Sequence, residues 1–136
     1  MQHSKSKWLA YTVLVGLIPV FSRVLVWTIL DIDAIAPFAP GDFVAFGLVL
    51  HISNINELEH ASAQGRPWKT IQNGVSLIFI ALYSVILAVL LLAERSPKLV
   101  NSNAVMICVT ALATTSFLLS LSVFHRLSYS TKSAKR

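Results

Sequence analysis

Residues 75–93 and 104–124 run for 19 and 21 positions without a charged side chain, and residues 8–30 run for 23 with only Arg23. Segments of that length and polarity restrict a chain more than any motif does. About 20 apolar residues in a helix cross about 30 Å of hydrocarbon. Inside lipid the backbone has no water to bond, so each segment has to close its own hydrogen bonds as a helix. The alternating ten-residue pattern of a membrane β-barrel is absent. Charged residues make up 12% of the chain, about half the share of an ordinary soluble domain. The expected class is an all-α integral membrane protein, with residues 1–136 as a single membrane domain.

A fourth segment is harder to place. Residues 47–62 read GLVLHISNINELEHAS, apolar at the start and polar at the end. Charge resolves it. Lys5 and Lys7 precede the first run, Arg66 and Lys69 follow the polar segment, and Arg126, Lys132, Lys135 and Arg136 end the chain. The connection after the first run carries Asp31, Asp33 and Asp42 and no base, and the one after the third carries Arg95 and Lys98. Bases favour the cytoplasmic side. Four spans with both termini cytoplasmic put eight bases inside and two outside. Three spans would strand one basic end outside. The expected fold is therefore a four-helix bundle, N-in and C-in. Its spans lie at about 8–30, 43–62, 71–93 and 104–125, followed by a basic cytoplasmic tail at 126–136. The first run is too long for a signal peptide and reads as a retained anchor. The net charge of +5 then serves anionic lipid headgroups. The bilayer is the expected partner, and nucleic acid is not.

The polar segment raises the functional question. At roughly 100° per residue, Gly47, His51, Asn54 and Leu58 share one stripe of a helix, while Ser53, Glu57 and His60 lie on another. Polar groups within a span face the bundle interior or water. Arg23, His51, Asn54, Glu57 and His60 form the candidate polar intramembrane set. Cysteines at positions 51 and 54 are expected to react with small water-soluble reagents, as a stripe lining an aqueous cavity would, and a cysteine at Leu87 is not. If the helix surfaces early, Glu57 and Glu59 are merely solvated. Arg23 and His51 fall at similar depth. Either a neutral His51 accepts from the guanidinium, or Arg23 reaches up to Asp31, Asp33 or Asp42. Glu57 and His60, one turn apart, match half of a carboxylate–histidine metal site. The chain has no second half, so neither metal nor cofactor is expected.

The last run adds Ser and Thr. Ala111 with Thr115, and Ser116 with Ser120, are pairs of small residues four apart, spaced for close helix packing within or between subunits. The third run is bulky and apolar, suited to facing lipid. Cys108 stands alone and excludes an intrachain disulfide. No phosphate loop, paired CxxC or nucleophile elbow occurs, so no catalysis is expected.

In layout the chain resembles small four-helix inner-membrane proteins. Its first span lacks the embedded Glu of small multidrug transporters, and the Gly/Arg/Asn signature of fluoride channels is missing. Size and topology look like those of membrane subunits of bacterial anti-phage systems, such as the Kiwa membrane component. That likeness covers the layout and no motif. It implies an oligomeric protein of the bacterial inner membrane, a pore or a sensor and anchor for a cytoplasmic protein bound at the basic inner face. The alternative is a small ion or solute transporter with its polar site on the second helix.

Overall fold

A computed structural model describes residues 2–30, 35–60 and 66–133, with the backbone alone at 2–6, 66 and 130–133. The described residues form four long helices: α1 (Gln2–Ile29), α2 (Pro40–His60), α3 (Arg66–Arg95) and α4 (Ser102–Ser133). One 3₁₀ turn, Pro97–Leu99, joins α3 to α4. No strand occurs among them. The helix ends follow local chemistry. Pro40 opens α2, where its missing N–H costs nothing. Asn101 accepts from the Ala104 amide at 3.1 Å and so caps α4. Arg95 sits in the last turn of α3, beside the negative end of the helix dipole. The segment expected as a tail is helical as far as Ser133, continuing α4 without a break.

Three of the helices are long and apolar enough to cross a membrane, over Lys7–Ile29, Pro67–Arg95 and Ser102–Tyr129. The chain is thus a helical membrane protein. α2 is not among the three, although its 21 residues span about 31 Å. Its polar content lowers its hydropathy, and its position accounts for that content. α2 packs against each of the other three helices, whereas α4 touches α1 and α3 only lightly. Phe46 of α2 lies on Gly16 of α1. Leu58 of α2 meets Val123 and Leu127 of α4, with Trp68 of α3 against them. α2 is therefore the hub, and its neighbours shield it.

The bundle buries polar side chains along with its apolar core and turns large apolar ones outward. The fully buried side chains include His51, Asn54, Ser76, Ser116 and Ser120, while Leu14, Ile18, Phe21, Ile78, Leu91 and Leu118 are exposed. Water would penalise those outward faces, and lipid does not. The contacts fix the directions of the helices. Trp8 near the start of α1 reaches Ser53 near the end of α2, and the last turns of α4 reach Leu58. The start of α1 and the end of α4 therefore lie at the same end of the bundle.

Candidate functional site

Gly47 permits the arrangement at the centre of the bundle. A Cβ there would overlap the ring of Tyr83 from α3, so only glycine lets α2 and α3 approach this closely. Tyr83 is fully buried and its hydroxyl lies 2.9 Å from Ser116 Oγ on α4. One α-helical turn further along α2, His51 stacks on Phe79 of α3 with ring centroids 4.7 Å apart. Its Nε2 lies 2.8 Å from the same Ser116 Oγ. Three helices thus converge on one serine.

Proton counting assigns the donors. Ser116 donates its single hydroxyl proton to the Leu112 carbonyl at 2.8 Å. Its two lone pairs are then left to accept, one from the Tyr83 hydroxyl and one from His51 Nε2–H. That selects the tautomer of His51 with its proton on Nε2. One turn on, Asn54 Nδ2 donates to Ser120 Oγ at 2.9 Å. The same counting works on the other side of α2. Thr12 donates to the Trp8 carbonyl, Ser53 donates to Thr12 at 2.8 Å, and Trp8 Nε1 donates to Ser53 at 2.7 Å. His51 and Asn54 on one stripe, and Ser53 on the other, are thus tied to neighbouring helices.

The expected residues divide into groups. His51, Asn54, Ser116 and Ser120 meet in the core. Arg23 is elsewhere: its guanidinium binds the Asp42 carboxylate through Nε and a second nitrogen. Asp42 is buried at the start of α2, so a helix N-terminus and an arginine both neutralise it. Asp31 and Asp33, the other carboxylates in reach by sequence, lie outside the described residues. Glu57 is half-buried. His60 is exposed, its Nδ1 2.8 Å from the Asn56 carbonyl of its own helix. Ala111 and Thr115 are exposed on the outer face of α4, where Thr115 donates to the Ala111 carbonyl. The two pairs of small residues therefore serve different faces.

Two central residues were not legible. Tyr83 belongs to a helix whose composition suited it to lipid, yet it is among the best-buried side chains. Ser76 is also fully buried, and nothing in its immediate neighbours marks it. The one signal that pointed toward this contact is Gly47, a small residue in mid-helix where a neighbouring helix can approach closely. Among the described residues no three His, Cys, Asp or Glu side chains come together to hold a metal ion.

Comparison with family models, with curated proteins and with solved structures finds no match to this chain.

Proposed function

We propose that this chain is a small four-span protein of the bacterial inner membrane that works as an oligomeric sensor or anchor for a cytoplasmic protein. Both termini lie in the cytoplasm, and the partner binds the basic inner face. The observation that carries this reading is the closure of the α2 polar stripe. His51 and Asn54 are completely buried and bonded to α4, the construction of a packed core rather than of a pore lining. A role as the membrane component of an anti-phage system is an analogy of layout. The transporter alternative draws on the cluster of polar groups around His51.

Two measurements test the reading. Reporters active only in the periplasm are fused after Ala34, Gly65, Pro97 and Arg136. Positive-inside bias leads us to expect activity at the first and third alone. Activity at Gly65 means that α2 does not cross.

The second uses single cysteines at 51, 54 and 87 in a Cys108→Ala background. A packed core keeps 51 and 54 silent toward a small water-soluble thiol reagent, as silent as the lipid-facing 87. Rapid labelling at 51 and 54 while 87 stays silent sinks the anchor in favour of a pore or transporter. The same outcome was expected above for an aqueous stripe, and the burial of both side chains is what reverses it.

A further inference from the structure

Hydroxyls in these helices have a habit. Thr110, Thr114, Thr115 and Ser116 of α4 and Ser84 of α3 each donate to the carbonyl four residues back. Ser76 does not: it is fully buried and its Oγ has no hydrogen-bond partner. Nor is it alone. His51 Nδ1, Asn54 Oδ1, Asn73 Oδ1 and Gln72 Nε2 are also buried without one.

Four of these atoms fall on facing stripes of α2 and α3. Gly47 faces Tyr83 and His51 faces Phe79, a step of four residues along both antiparallel helices. Continuing that register puts Asn54 level with Ser76 and Leu58 level with Gln72. Positions 83, 79, 76 and 72 follow the three- and four-residue spacing of a single helix face, whereas Asn73 lies about 100° further round. The orphaned atoms of His51, Asn54, Gln72 and Ser76 therefore face the seam between α2 and α3. An apolar closure bounds each end of it. Tyr83 seated on Gly47 closes one, and Leu58 packed with Val123, Leu127 and Trp68 closes the other.

An unpaired buried polar atom costs about 1–3 kcal/mol, so four facing one seam favour a small polar ligand there. The chemistry of the four defines it. His51 carries its proton on Nε2, so Nδ1 is an acceptor, as is the Asn54 amide oxygen. Gln72 Nε2 is a donor, and Ser76 Oγ serves as either. The seam is richer in acceptors than donors and carries no formal charge of its own. We infer that water molecules occupy the seam between α2 and α3, donating to His51 Nδ1 and Asn54 Oδ1 and accepting from Gln72 Nε2, with Ser76 Oγ as a bridge. This water belongs to the structure, and it lets a polar helix persist at lipid depth. The proposal rests on α2 being embedded in the proposed bundle.

X-ray hydroxyl-radical footprinting of the full-length protein in lipid nanodiscs tests it. Radicals formed from bound water oxidise the side chains beside it. Phe79, stacked on His51, is compared with Phe117, which lines an apolar crevice between α1 and α4. Because the two residues are of one type, their intrinsic reactivities cancel. Phe79 is expected to oxidise several-fold faster than Phe117, with ordered water in van der Waals contact with its ring. Replacing both polar bridges, Asn54→Leu with Ser76→Ala, is expected to bring Phe79 down to the Phe117 rate. Equal rates in the unaltered protein overturn the proposal, and so does a fast Phe79 that ignores the double substitution. Thermal stability supplies a readout on Ser76 alone. A bridging hydroxyl lost through Ser76→Ala lowers the Tm, whereas a dry orphan removed raises it, and a raised Tm also overturns the proposal. A reporter active at Gly65 removes the span without touching the footprint, so the two failures are distinguishable.

Discussion

Substituting Gly47 with alanine is expected to destabilise the bundle, although the same change elsewhere in a helix stabilises it. Alanine is favoured over glycine by about 0.5–1 kcal/mol in a helix interior. Against that gain stands the Tyr83 ring, which occupies the space a Cβ would need. The ring has nowhere to go. It is fully buried, and its hydroxyl is held by Ser116. An extra methylene forced into a packed core costs about 1–3 kcal/mol, so the steric term outweighs the propensity term. Gly47→Leu should leave no folded protein. Denaturation in graded detergent mixtures reads the sign. The cost of Gly47→Ala should largely vanish in a Tyr83→Ala background, because the two residues touch and their effects are then non-additive. A neutral or stabilising Gly47→Ala in the unaltered background would falsify the close approach of α2 and α3.

The second large effect belongs to Ser116 and Ser120. Both are essentially inaccessible, 0% and 1% exposed, and both face α2. Leucine at the two positions together is expected to push α4 off α2 and abolish the folded monomer. Bulk dominates that result. An interhelical hydrogen bond within a membrane is worth only about 0.6 kcal/mol on average. Even the full cost of orphaning His51 Nε2 and the Tyr83 hydroxyl is about 1–3 kcal/mol each. Ser116→Ala should therefore weaken the protein measurably and leave it folded. Leucine at Ala111 and Thr115, on the outer face of the same helix, should leave the monomer's unfolding midpoint unchanged. If the outer pair unfolds the monomer while Ser116→Leu with Ser120→Leu is tolerated, the rotation of α4 about its axis is wrong. Mass in detergent, measured on the same three variants, reports separately whether the outer pair joins subunits.

Helices and their lengths are local properties, and the chain declares them locally. Uncharged runs at 75–93 and 104–124, and the nearly uncharged run at 8–30, are enough to require three membrane-length helices, because lipid admits no other backbone arrangement for them. The stripe of Gly47, His51, Asn54 and Leu58 was also legible, since roughly 100° per residue is a property of any helix, and all four residues are buried. Which partners they take was not. Arg23 had three carboxylates within reach by sequence, and the structure pairs it with Asp42. The Ala111/Thr115 and Ser116/Ser120 pairs have the same spacing, yet they turn outward and inward. Tyr83 and Ser76 come from a stretch that looked fit only for lipid. The reason is common to all these cases. In water the hydrophobic contrast between core and solvent marks the inward face of each helix, but lipid is as apolar as leucine and removes that mark. The rotation of each helix about its axis is then set by close approach at Gly47 and by the shared hydrogen bonds of Ser116, and both exist only once the helices have met.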